Sequence, residues 1–150
     1  MNSEQIQLVQ STFDLVRPIA PTAADLFYKR LFVLNPSLRP MFKGDLVDQG
    51  RMLMSMLNAA VNGLTNLESM IPVVRQLGAR HVKYGVRDEH YITVGSALLW
   101  TLAHGLGDKF TPAVEDAWTE AYGLLSTQMQ LGASNASKLV ESVQGGFRSQ

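Results

Sequence analysis

The feature that most restricts the fold is the spacing of apolar residues, which is helical along nearly the whole chain. Between Val47 and Asn62, the side chains Gln49, Met52, Leu53, Met56, Leu57 and Ala60 recur at i, i+3, i+4, i+7, i+8 and i+11, which is one face of an α-helix. No segment shows the alternation of a half-buried strand. Punctuation then sets the lengths. A first helix runs from about Ser3 to Arg17, capped by Asn2 or Ser3, with Ile6, Val9, Phe13 and Val16 inside and Pro18 and Pro21 as breakers. A second starts near Thr22, carries Leu26, Phe27, Arg30, Leu31 and Leu34, and stops at Asn35-Pro36. Pro36 to Met41 suits one helical turn, and Lys43-Gly44-Asp45 a loop.

Further along, Pro72 suits the first turn of a shorter helix that runs to Lys83 and stops before Gly85. Asp88 is positioned to cap a helix to about His104, with Tyr91, Val94, Leu98 and Leu102 on its inner face. Thr111 caps the last long helix, Pro112 takes its first position, and Trp118, Tyr122, Leu125 and Met129 form its inner stripe. After Leu131 the chain turns small and polar (Gly132-Ala133-Ser134-Asn135-Ala136-Ser137), and Gly145-Gly146 follows. The expectation is a globular domain over 1–131 and a loose tail over 132–150. The fold class is all-α, with about seven helices of unequal length in an irregular, orthogonal packing.

Size and charge narrow the function. A chain of 150 residues is most simply one domain and buries about 68–70% of its unfolded surface. It has no cysteine, hence neither disulfides nor a thiolate metal site. Thirteen basic residues balance thirteen acidic ones, which is not the footprint of a nucleic-acid binder. No basic-then-apolar leader is visible at the N-terminus, and no apolar run is long enough to span a bilayer. A cytoplasmic protein with a small partner, no nucleic acid and no membrane is therefore expected.

Few residues carry chemistry. His81 lies one turn after Leu77, near the end of an apolar helix. It reads either as a satisfied core histidine or as a metal ligand. His90, beside Asp88 and Glu89 in a first turn, reads as an exposed surface histidine, and His104 as a cation at a helix C-terminus. Neither has a second ligand at i+3 or i+4, so a two-histidine zinc motif is absent. Tyr28 reads as a core tyrosine whose hydroxyl needs a partner. Gln49 heads an apolar face, where a solvated rim position is the simplest account, and Phe42 is a core anchor. No serine lies in a nucleophile elbow, and no GxGxxG or GxxxxGK[ST] pattern occurs. Asp88-Glu89 and Glu115-Asp116 look like helix-start or solvated charges rather than a catalytic pair.

The order of these parts resembles a known family. Leu26-Phe27-Tyr28-Lys29-Arg30-Leu31-Phe32, then Asn35-Pro36 and Phe42, is similar to the second helix and first corner of bacterial globins. Asp48-Gln49-Gly50-Arg51-Met52-Leu53 resembles their distal helix. Arg80-His81 through Tyr91-Ile92-Thr93-Val94-Gly95 resembles their proximal region, and Ala117-Trp118 with Ala121-Tyr122-Gly123 their last helix. The likeness covers about residues 5–131 and follows the haem domains of flavohaemoglobins and single-domain relatives. Tyr84-Gly85-Val86-Arg87 and Phe110-Thr111-Pro112-Ala113 are also similar to neuroglobin.

The resemblance implies haem b as cofactor, with His81 as the iron ligand and its other ring nitrogen bonded to a backbone carbonyl, that of Leu77. Phe42 would pack on the haem, Leu53 would wall the distal side, and Val86 and Tyr91 would line the proximal side. Tyr28 and Gln49 would face the bound gas: dioxygen, or another diatomic such as nitric oxide or carbon monoxide. Two departures matter. Flavohaemoglobins carry a flavin and nicotinamide reductase after the globin, for which 150 residues leave no room, so any reductase is expected to be a separate protein. Their proximal histidine is backed by a tyrosine and a glutamate. Tyr91 matches the tyrosine, but Leu131-Gly132-Ala133-Ser134 brings no carboxylate. The leading expectation is reversible gas binding. Nitric oxide dioxygenation with a separate reductase, or a haem-free globin-like regulatory module, are the alternatives.

Overall fold

The computed structural model describes residues 1–83 and 85–148, with side chains described up to Asn135 except that of Lys83. Tyr84, Ser149 and Gln150 lie outside the described residues. Among the described residues the regular structure is wholly helical. It comprises α1 (Ser3–Val16), α2 (Ala20–Leu34), α3 (Leu46–Gly63), α4 (Leu67–Lys83), α5 (Asp88–Leu106) and α6 (Pro112–Arg148). Three short 3-10 helices, Arg17–Ile19, Pro36–Met41 and Gly107–Lys109, lie between them. The all-α expectation is met.

Local chemistry explains most boundaries. Asn2 Oδ1 accepts from the Gln5 amide at 2.8 Å, and Gln5 Oε1 accepts from the Asn2 amide at 3.1 Å, a reciprocal cap that starts α1. Gly44 takes φ 109°, which suits glycine, and Asp45 then caps α3 by accepting from the Val47 amide at 2.9 Å. Thr111 Oγ1 accepts from the Val114 amide at 3.3 Å to start α6.

Four boundaries or placements differ from the sequence reading. α2 begins at Ala20, because Pro21 falls in its first turn, where no amide donor is needed. α4 begins at Leu67 rather than at Pro72. The proline removes only the donor that would meet the Glu68 carbonyl, and Glu68 is exposed, so water can serve it. Asp88 is the first residue of α5, and the cap position belongs to Arg87. His90, expected on the surface, is only 6% exposed, and its Nδ1 accepts from the Arg87 amide at 3.0 Å. It does the work of the glutamate or glutamine of a capping box.

The C-terminal expectation also changes. α6 does not stop at Leu131 but continues to Arg148. Gly132 and Ala133 are buried. A methyl carbon at Gly132 would stand 1.9 Å from the Arg75 carbonyl oxygen, and one at Gly78 would stand 1.9 Å from the Met129 carbonyl oxygen. The two helices therefore cross backbone to backbone through reciprocal glycines. This close packing outweighs the roughly 1 kcal/mol that glycine costs a helix interior.

The core lies where α1, α2, α5 and α6 meet. Val9, Phe13, Phe27, Leu31, Ala97, Leu98, Leu102, Ala117 and Trp118 are buried together there. Phe13 and Trp118 lie 6.1 Å apart between ring centroids, and Trp118 Nε1 donates to Thr12 Oγ1 at 2.9 Å. α3 leans chiefly on α2, and α4 chiefly on α6.

Candidate functional site

The α2–α3 crossing positions the first group of expected site residues. A methyl carbon at Gly50 would lie 2.9 Å from Ala24 Cβ and 3.9 Å from Tyr28 Cε2. Small residues thus bring the α3 backbone, one residue past Gln49, to the Tyr28 ring. Tyr28 is 6% exposed and sits among Phe27 and Phe42, each 5.3 Å away between centroids, and Phe32, at 6.2 Å. Burial raises its hydroxyl pKa to about 12, so the group stays a neutral O–H donor at ordinary pH. Phe42 is half-buried and packs on Tyr28 and on Phe32, the latter at 5.6 Å.

Gln49 is half-buried at the rim of this cluster. Its Nε2 donates to the Lys43 carbonyl across 3.4 Å, a long contact that leaves the amide easily redirected. Leu53, one turn further along α3, is half-buried and packs against the core.

The second group lies on α4 and α5. His81 is half-buried, and its Nδ1 lies 2.7 Å from the Leu77 carbonyl oxygen. A carbonyl only accepts, so Nδ1 carries a proton, and in the neutral ring that places the lone pair on Nε2. This is the tautomer that a metal-ligating histidine needs. The Val86 amide donates to the His81 carbonyl at 3.1 Å, which ties the turn after α4 to the histidine. Leu77 and Val86 are both half-buried.

Tyr91 is buried, and its hydroxyl has no hydrogen-bond partner among the described residues. Burial, aided by the Asp88 carboxylate, raises its pKa. The Tyr122 hydroxyl donates to the Tyr91 carbonyl at 2.5 Å, and the Tyr122 ring lies against Gly95. Apolar spacing marks Tyr122 only as part of the inner stripe of α6, yet it fixes the backbone at Tyr91. Nothing in its periodicity marks that role, because the bond joins residues far apart in sequence.

His104, the third histidine, is exposed at the end of α5 and stacks on Trp100 with centroids 3.8 Å apart. Among the described residues no group of three or more His, Cys, Asp or Glu side chains is arranged to hold a metal ion. No described helix is long and apolar enough to cross a membrane.

These surroundings fit a flat apolar group ligated by one histidine. The periodic face of α3 is only partly covered by protein: Leu53 and Leu57 are half-buried, while Met52 is 60% exposed. On α4, Val73 is 64% exposed. The orphaned Tyr91 hydroxyl and the His81 ring, held through Nδ1 by the Leu77 carbonyl, supply the polar counterpart.

Comparison with known proteins bears on the same residues. The globin family model matches residues 25–129. A flavohemoprotein of Bacillus subtilis (strain 168) is 30% identical over 129 residues, covering 84% of this chain and 32% of that protein. A flavohemoprotein of Vibrio cholerae is 32% identical over 129 residues, covering 84% of this chain and 33% of that protein. The chain thus spans about a third of the length of these relatives. A solved bacterial globin from Campylobacter jejuni superposes with a TM-score of 0.75 at 27% identity, covering 93% of this chain and 99% of that one.

Proposed function

Because the chain belongs to the globin family, we propose that it holds haem b through His81 Nε2 and reversibly binds dioxygen or another diatomic gas. The carrying observation is the 2.7 Å contact of His81 Nδ1 with the Leu77 carbonyl. It fixes the ring orientation and, in the neutral imidazole, makes Nε2 the nitrogen that would ligate iron. When bound, haem supplies an iron with a coordination position for a diatomic gas.

The residues of the chain supply the rest. Phe42 offers a ring face to the cofactor. Leu53 and Val86 exclude water from its two sides. Tyr28, kept neutral by burial, donates an O–H to a gas that gains negative charge on binding, and Gln49 adds an amide donor by exchanging its long contact with Lys43. Such donors favour dioxygen over carbon monoxide, which gains little charge.

The proximal side favours binding over oxidative chemistry. The position after Leu131 is a buried glycine pressed on the Arg75 backbone, which leaves no space for a carboxylate side chain. The Tyr91 hydroxyl has no hydrogen-bond partner among the described residues. Nitric oxide dioxygenation with a separate reductase is the second activity to assay, and nitrate formed per reductant consumed measures it.

The test of the main reading is the visible spectrum of the purified protein, reduced, with and without dioxygen. A haem spectrum that shifts reversibly on deoxygenation is expected. Protein that takes up no haem on reconstitution, or whose haem spectrum ignores dioxygen, contradicts the reading.

A further inference from the structure

A groove of about 470 Å³ runs between the end of α1 and α3, walled by Phe13, Arg17, Ala20, Met54, Asn58 and Asn62. Its size falls within the roughly 300–1,000 Å³ of small-molecule sites. Met54, Asn58 and Asn62 recur at i, i+4 and i+8, a stripe of α3 separate from the one that carries Gln49, Leu53 and Ala60. Arg17 sets the chemistry of the groove. Its Nε donates to Asn58 Oδ1 at 2.9 Å and its Nη2 to Asn62 Oδ1 at 3.3 Å, while its Nη1 donates to the Asp14 carboxylate. A guanidinium only donates, so both asparagines turn their oxygens to it and their Nδ2 groups away from it. The remaining guanidinium N–H groups and those of both Nδ2 atoms are left for an acceptor. Among the described residues no carboxylate lines the groove, and Asp14, 60% exposed, stands outside the wall. Donors thus gather beside the apolar surface of Ala20 and Met54, with the guanidinium 5.3 Å from the centroid of the Phe13 ring.

We propose that this groove binds a small monocarboxylate with a compact apolar body, aromatic or branched. A carboxylate only accepts, so its two oxygens match a wall of N–H groups, and its bonds to a guanidinium are charge-assisted. The apolar body covers Ala20 and Met54, which a bare inorganic anion would leave wet. A neutral acceptor would forgo the charge of Arg17. Asp14 works against the ligand, because its negative charge lies beside the same guanidinium. That opposition keeps the affinity modest and gives the proposal a sign to test. A bound acid would bridge α1 to α3, and none of its contacts belongs to the gas site, so binding needs neither haem nor gas.

The purified full chain, labelled with nitrogen-15, is titrated with sodium benzoate at neutral pH and constant ionic strength and followed by nuclear magnetic resonance. Benzyl alcohol supplies the ring without the charge, and inorganic phosphate the charge without the ring. Benzoate should give saturable shifts at the side-chain amides of Asn58 and Asn62 and at the Ala20 backbone amide, with none at His104, at the far exposed end of α5. Both comparison probes should bind roughly tenfold more weakly or worse, about the effect of losing one charged hydrogen bond. Arg17→Met keeps an apolar stem on Phe13 but removes the guanidinium, and should weaken benzoate by at least the same factor. Asp14→Asn keeps an acceptor for Arg17 while removing the opposing charge, and should tighten benzoate. It lies at an exposed position, so it serves as the test should Arg17→Met fail to fold. Absence of saturable shifts, equal binding of benzyl alcohol or phosphate, or a benzoate affinity unmoved by Asp14→Asn or by a folded Arg17→Met overturns the proposal. The readout does not involve iron, so its failure and the failure of the gas-binding reading are told apart.

Discussion

Tyr28 shows how one residue can be legible as a type and still gain its meaning from packing. Its place on an apolar helix face was readable in the sequence, as was the one-turn spacing of Leu77 and His81. The neutral state of its hydroxyl was not readable, because that depends on Phe27, Phe32 and Phe42 closing around the ring. Tyr28→Phe and Gln49→Leu should each speed dioxygen release while changing carbon monoxide release less. A hydrogen bond to a charged group contributes about 1.5–3 kcal/mol, so loss of one full bond accelerates release by roughly 10- to 150-fold. Stopped-flow release rates for both gases check this, and unchanged dioxygen release in both variants places these side chains outside the site. Burial also sets a pH effect. The folded-state pKa of Tyr28 lies near 12 against an ordinary 10.0, so its neutral form stabilises the fold fully below pH 10. That contribution is lost as pH rises from 10 toward 12. Melting temperature should therefore fall above pH 10, and less steeply in Tyr28→Phe. The slope should not vanish, since Tyr91 and Tyr122 are raised in the same direction.

At the scale of the element, the α5 start and the α4–α6 crossing separate what local pattern can reveal from what it cannot. The sequence marks a helix start near Asp88, but acidic neighbours make His90 look like a solvated side chain. The structure turns it inward to accept from the Arg87 amide. His90→Ala should retain haem yet lose about 0.5–2 kcal/mol, the usual worth of such a cap. In a domain of this size that lowers the melting temperature by roughly 2–4 °C per kcal/mol. A variant with unchanged melting would mean that the bond contributes nothing. Gly78 and Gly132 were legible only as helix-weakening residues. Their reciprocal fit needs both helices in place, which no single segment encodes. Gly132→Ala puts a methyl group on the Arg75 carbonyl and should cost about 1–3 kcal/mol or more. Because α4 also carries His81, haem should dissociate faster in that variant, a change read from transfer of haem to an acceptor protein. Equal dissociation rates would uncouple the crossing from the site.

On the scale of the whole molecule, the helix order, the α2–α3 loop and the all-α class were legible because capping residues, prolines and apolar periodicity act locally. The length of α6 was not. Small and polar residues from Gly132 to Ser137 resemble a linker by composition, while the first two of the run are buried against α4. Truncation after Ser134 keeps that contact, so haem content should hold and the melting temperature should change little. A large loss of either would show that the last turns of α6 stabilise the core. The account as a whole depends on His81, whose Nδ1 is bound to the Leu77 carbonyl at a half-buried position of α4. The most direct test is the haem content and visible spectrum of His81→Ala beside His104→Ala, an exposed histidine at the end of α5. Specific haem retention should be lost in the first and kept in the second. A His81→Ala protein that keeps its haem with an unaltered spectrum would contradict the assignment.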